Sequence, residues 1–139
     1  MIALKIVVDA YAWIEVFLGS EAGRRAKGVI EEAESVLTPG TVLAEVARKY
    51  TREGATAPTI RKRLANMLES SELVDVDVDL ALEAARATVQ LERRAESSGL
   101  RKPSLFDGIV LASARRNDAK VLTGDEHFKD LAETMWLGA

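Results

Sequence analysis

Short β-branched runs alternate along this chain with longer segments of helical period, and that alternation restricts the fold more than any other feature. "KIVV", "SVLTP", "LVDVDVD", "KVLTG" and "TMWLG" read as strands, each bounded by a turn or cap residue. Between them lie helical patterns. One starts after Asp9 in "DAYAWIEVF", and one follows a Ser20 cap, with Ala22, Ala26, Val29, Ile30 and Ala33 on one face. "TVLAEVARKYTRE" gives a third. A fourth begins at Thr56 or Thr59, with Ile60, Leu64, Met67 and Leu68 as its stripe. "LALEAARATVQLERRAESSG" gives a long fifth that Gly99 stops, and "SLFDGIVLASARR" a sixth. "PG" after the second strand reads as a turn. Strands and helices in this order predict parallel βαβ units in a three-layer α/β/α sandwich with a central, mostly parallel sheet. In such sheets chemistry sits beyond the carboxyl ends of the strands, so the residues leaving each strand matter most.

With 139 residues the chain suits one domain, 1–139. No apolar run is long enough to span a membrane. Met1 to Lys5 lead straight into the first strand, so no signal peptide is expected. The absence of Cys excludes thiolate nucleophiles and suits a reducing, cytoplasmic setting. His127 is the only histidine, which leaves little room for a Ser-His-Asp triad or a zinc site. The net charge of −3 does not advertise nucleic-acid binding. Basic residues nevertheless come in clumps, each readable as a solvated helix face, and Arg61-Lys62-Arg63 is the preferred one for contact with an RNA backbone.

One carboxylate is out of place. Asp107 lies in "SLFDGIVLASA", a segment apolar almost all round and therefore expected to be buried. A buried carboxylate needs a proton, a hydrogen bond or a cation. Ser104-x-x-Asp107 has the shape of a capping box, which supplies a local answer. The competing answer is a cluster of acids drawn from distant parts of the chain. Asp9 leaves the first strand, Asp125 leaves the "KVLTG" strand, and Glu45 lies a turn into the helix after "SVLTP". Each alone could be a cap, a turn residue or a snorkelling side chain. Four at one sheet edge weaken those readings, because independent caps are not expected to share an edge.

Converging carboxylates repel: a pair about 4 Å apart costs roughly 4 kcal/mol at an effective dielectric of 20. Such a site must hold a divalent cation or keep protons. An all-oxygen ligand set selects hard ions, Mg²⁺ or Mn²⁺. Either ion polarises a phosphate oxygen and acidifies a bound water, so no side-chain nucleophile is needed.

Taken in order, "VVDAYAWIEVF", "TPGTVLAEVARKY", "KPSLFDGIVLASAR" and "AKVLTGDEHF" resemble the PIN-domain family, and within it the VapC-like toxins. The resemblance runs over nearly the whole chain. It implies a metal site, and catalysis, on Asp9, Glu45, Asp107 and Asp125, with Thr123 hydrogen-bonded into it and Ser104 in support. It further implies an endoribonuclease that depends on Mg²⁺ or Mn²⁺, is usually a homodimer, and is inhibited by a cognate antitoxin. Ala10 departs from the small hydroxyl residue many relatives carry after the first acid, which costs no ligand.

Several features are set aside. "VDVDVD" places Asp75, Asp77 and Asp79 on one face of an edge strand, with Asp79 capping the next helix, and it fails as a calcium loop. His127 reads as packing or turn structure, and Trp13, Phe17, Phe128 and Trp136 as core or dimer contacts rather than a base-stacking platform. Two rival functions remain. A phosphotransfer domain would use Asp9 as nucleophile, but its neighbouring acids are missing. A catalytically silent PIN-like module would bind only RNA or protein.

Overall fold

The computed structural model describes residues 3–138. Met1 and Ile2, read as the lead-in to the first strand, lie outside the described residues. The strands are β1 (Lys5–Val8), β2 (Ser35–Pro39), β3 (Glu72–Val74), β4 (Lys120–Thr123) and β5 (Thr134–Trp136). All four pairings are parallel, in the order β3-β2-β1-β4-β5. The helices are α1 (Ala10–Leu18), α2 (Glu21–Glu32), α3 (Gly40–Arg52), α4 (Ala57–Glu69), α5 (Val78–Ser98) and α6 (Leu105–Arg116). The expected three-layer sandwich is present, and its sheet is wholly parallel among the described residues.

The chain builds outward from β1 to β2 and β3, then crosses back to β4 and β5. Right-handed crossovers set α1–α4 on one face and α5–α6 on the other. The order therefore reverses between β1 and β4, the position at whose carboxyl edge open parallel sheets carry their sites. Ile6, Val7 and Val8 are fully buried in the centre of the sheet, as are Val121 and Leu122 of β4. Those continuous apolar runs are what a strand covered on both faces requires.

Local signals set most of the boundaries. Ser20 caps α2 by accepting from the Gly23 N–H, Thr56 caps α4, and Gly99 ends α5 in the left-handed conformation at φ 69°. Two boundaries differ from expectation. Pro39-Gly40 is not a turn: Pro39 ends β2 with φ −61° and ψ 143° and is itself the residue before α3. Proline's fixed φ suits both roles. The acidic repeat also forms less strand than its alternation suggested. β3 stops at Val74, Asp77 rather than Asp79 caps α5, and Asp79 lies inside its first turn. Asp is a poor strand former and a strong cap, and Asp77 Oδ1 accepts from the Leu80 N–H at 2.8 Å.

Candidate metal centre at the sheet edge

Asp9 follows β1 and caps α1, its Oδ1 accepting from the Ala12 N–H at 2.9 Å. Its other oxygen accepts from the Thr123 hydroxyl at the end of the neighbouring strand β4. Asp9 is only 5% exposed. Thr123 Oγ1 accepts in turn from the Asp125 N–H at 2.9 Å, which ties the last acid to the first. Asp125 caps the short 3₁₀ turn Glu126–Phe128, its Oδ1 accepting from the His127 N–H. Asp107 forms the capping box in full. Its N–H donates to Ser104 Oγ, and the Ser104 N–H donates to Asp107 Oδ2 at 2.9 Å.

Cap and cluster therefore coexist. Three of the four acids are caps at helix N-termini, and the expectation that independent caps would not share an edge is incorrect. Every helix of a parallel βαβ layer runs against its strands, so the helix N-termini gather at the strands' carboxyl edge. Capping also leaves ligand capacity unspent: Asp107 Oδ1 and Asp125 Oδ2 take no part in their caps. Glu45 differs. It projects from α3 at the border of the buried face made by Val42, Val46 and Tyr50.

The acids are linked electrostatically through Asp125, and among the described residues the group gathered within 4.8 Å is Asp107, Asp125 and His127, without Asp9 or Glu45. Burial pushes Asp9 up to about 7 against the opposing hydrogen bonds from Thr123 and Ala12, and the charges of Asp125 and Glu45 add to the rise. Glu45 is also pushed up to about 7, first by burial, then by Asp107 and Asp125, with Arg48 opposing. Asp107 is raised by burial and by Asp125, against the Ser104 hydrogen bond and the His127 charge. Asp125 acts on all three others and is the hub. Among the described residues no Lys or Arg forms an ion pair with Asp9, Glu45 or Asp107. A set of hard oxygen donors raised by mutual repulsion and desolvation fits a divalent cation, which would neutralise it.

His127 is packed and part of a turn, as read, and it also lies beside two of the acids. It is buried, and one of its ring nitrogens with oxygens of Asp107 and Asp125 forms a group within 4.8 Å. Both ring nitrogens are engaged, Nδ1 with Asp125 Oδ1 at 2.9 Å and Nε2 with the Arg101 carbonyl at 2.8 Å. With both nitrogens occupied, the ring braces Asp125 against the segment leading into α6. Burial lowers its pKa, but the Arg101 carbonyl, Asp125 and Asp107 together raise it. The signal available in sequence was its spacing, two residues after an acid.

Gly108 sets how near Asp107 comes. A methyl group there would lie 1.8 Å from Thr88 Oγ1 and 2.7 Å from the Ala84 carbonyl, so only glycine lets α6 approach α5 this closely. Of the basic triplet, Arg61 and Lys62 are exposed, whereas Arg63 is half-buried and lies over the Tyr50 ring at 4.1 Å and the Phe17 ring at 6.0 Å. Arg48, Lys49, Arg52 and Glu53 share a surface cleft with Glu45, where Lys49 pairs with Glu53 at 2.8 Å and the Arg48-Lys49 clump, read as a solvated helix face, stands beside one of the acids. Trp13 and Phe128 are core residues, and Phe17 and Trp136 are partly exposed.

The PIN domain family model matches residues 6–134, and the chain belongs to that family. No curated protein sequence matches it significantly. Its fold is similar to that of a toxin–antitoxin complex from Klebsiella pneumoniae, at 17% identity and a TM-score of 0.67 over 96% of this chain and 98% of the other. It is equally similar to VapC20 of Mycobacterium tuberculosis, described as a sarcin-ricin loop cleaving toxin, at 20% identity and TM-score 0.68 over 94% and 98%. VapBC-5 from the same organism aligns at 24% identity and TM-score 0.58 over 99% and 100%.

Proposed function

We propose that this chain is a metal-dependent endoribonuclease, the toxin of a toxin–antitoxin pair, folded as one nuclease domain over residues 1–139. One arrangement supports the reading: at the carboxyl edge of the sheet Asp107 and Asp125 lie with His127 in a group within 4.8 Å, and Asp125 also acts on Asp9 and Glu45, both pushed up to about 7, by burial first. That arrangement is unfavourable as bare charge and suits a Mg²⁺ or Mn²⁺ ion. When bound there, the ion would polarise a phosphodiester oxygen and make water a nucleophile near neutral pH.

The chain's own residues prepare that chemistry. Thr123 and the Ala12 N–H hold the two oxygens of Asp9 in fixed directions. The capping box fixes the Asp107 rotamer through Oδ2, and His127 fixes Asp125 through Oδ1. Ligands pre-set in this way lose little freedom on binding a cation. Ions bind the carboxylate form, so Asp9 and Glu45 must release their protons on loading. Arg48, Lys49 and Arg52 beside Glu45, and the exposed Arg61 and Lys62, are suited to guide an RNA backbone towards the acids.

A cognate antitoxin as inhibitor, a homodimer and a cytoplasmic setting complete the proposal. The toxin–antitoxin complexes of like fold support the first of these. No described helix is long and apolar enough to cross a membrane. A phosphotransfer role for Asp9 is disfavoured, since the side chain is buried with a hydrogen bond on each oxygen.

The test is to incubate purified protein with a mixed RNA pool in Mg²⁺, Mn²⁺ or EDTA and to sequence the new ends. Cleavage is expected with either metal and not with EDTA. Equal RNA binding with and without metal, and no cutting, would replace the nuclease by a silent binding module.

A further inference from the structure

A second feature of the same edge is a cleft of about 480 Å³ lined by Tyr11, Glu21, Arg25, Trp136 and the chain at Leu137 and Gly138. None of the four acids lines it, but two of its residues stand close to them in the fold. Tyr11 follows Asp9 by two residues, and its ring lies so close to Gly124 that a methyl group there would stand 2.3 Å from a ring carbon. Trp136 is the register partner of Thr123 in the β4–β5 pairing. Both aromatic rings are half-buried.

The cleft is also held in shape. Gly138 packs against the Trp136 indole, where a methyl group would come within 2.3 Å of the ring. Arg25 Nη2 donates to the Leu137 carbonyl at 2.5 Å and anchors the chain end across α2. Trp136 Nε1 is buried without a hydrogen-bond partner, so the ring is placed by packing and not by a polar contact. At the rim, Arg25 and Glu21 stand 3.6 Å apart, both largely exposed, and present hydrogen-bond donors and an acceptor side by side. Lys129 adds a cation 5.6 Å from the Trp136 ring.

From this arrangement we infer that the cleft receives a nucleobase of the RNA strand beside the phosphate at the acids, stacked on Tyr11 or Trp136 and read at its edge by Arg25 and Glu21. The inference rests on the nuclease reading for its placement of the phosphate. The physical logic is general. An aromatic face gives stacking that any base can use, and a fixed donor–acceptor pair adds preference among bases. The acids themselves would hold a cation and a phosphate but discriminate nothing about sequence.

The test uses the full chain and the four homopolymeric hexaribonucleotides of A, C, G and U, in EDTA at about pH 6 so that nothing is cut. Tryptophan emission should be quenched saturably by at least one of them. Trp136→Leu should abolish that quench and weaken binding about tenfold, while Trp136→Phe recovers most of the affinity. Arg25→Ala, at an exposed position, should flatten the preference among the four. Circular dichroism confirms that each variant is folded. Hexamer binding that is unchanged in folded Trp136→Leu, or no saturable quench with the wild type, overturns the base pocket and leaves the cleft to a protein segment. Wild-type protein that shows the quench but cuts no RNA in Mn²⁺ overturns the nuclease reading and keeps the base site.

Discussion

Asp9 and Asp77 do the same local job in opposite surroundings. Each follows a strand of the sheet, and each accepts a hydrogen bond from the N–H three residues on, at 2.9 Å from Ala12 and 2.8 Å from Leu80. Asp77 is exposed and pairs with Arg116 Nη1 at 2.9 and 3.0 Å, and the Leu80 N–H and Arg116 together hold its carboxyl below the usual range. Asp9 is buried, forms no ion pair with Lys or Arg among the described residues, feels the charges of Asp125 and Glu45, and is pushed up to about 7, by burial first. The cap is common to both, so capping cannot be what distinguishes a candidate ligand. The missing counter-charge is. Asp77 is stabilised by an arginine and Asp9 is not, and the proposed cation would supply that missing counter-charge.

The largest effect that could break this comparison is on cleavage. Asp9→Asn and Asp107→Asn keep an oxygen for the cap, yet each removes a charged ligand. RNA cleavage should fall to background in both, measured as end-labelled product in Mn²⁺. At about pH 8 in EDTA the melting temperature should hold or rise by several degrees, since relief of a buried charge is worth up to about 4 kcal/mol for Asp9. A deep loss of stability with cleavage intact would mean that these acids are only caps.

Next in size is the pH dependence of the metal-free protein. Asp9 and Glu45 ionise near 4 in the unfolded chain and near 7 in the fold. Their contribution to stability is therefore complete below about pH 4 and is lost as pH rises through about 7. Melting in EDTA should weaken from pH 5 to pH 8, and Mg²⁺ or Mn²⁺ should restore what was lost. A melting curve indifferent to pH across that window would show that neither burial nor the neighbouring acids raise Asp9 and Glu45 in the fold.

A smaller effect is expected at the helix contact that carries Asp107. Gly108→Ala forces α5 and α6 apart and should cost about 1–3 kcal/mol by chemical denaturation. It should also weaken metal-dependent cleavage, because Asp107 moves with its helix. The smallest effect belongs to Asp77→Asn. The cap survives and only an exposed ion pair is lost, so a slight drop in melting temperature should vanish in high salt, with cleavage unchanged. Cleavage lost in Asp77→Asn would erase the distinction between the two caps.

Much of this molecule is legible in one dimension. Strand and helix order, the Ser20 and Thr56 caps and the Gly99 stop follow from periodicity and local hydrogen bonding, which act within a few residues. Asp9, Asp107 and Asp125 could be named because each stands where a strand ends or a helix begins, and Glu45 because it borders the apolar face of its helix. Errors arose where local signals compete. Pro39-Gly40 has turn chemistry and became a strand–helix junction, and the alternation after Leu73 has strand period but gave way to the cap at Asp77.

What the sequence by itself determined, then, is the set of elements and the donors at their ends, since propensity and capping are settled between near neighbours. Only the tertiary structure decided which of those donors share a space. Strand order brings Thr123, 114 residues along the chain, onto Asp9, and it brings the ring of His127 between Asp125 and the carbonyl of Arg101. Burial and Coulomb repulsion depend on distance through space, and a chain written in a line does not contain those distances.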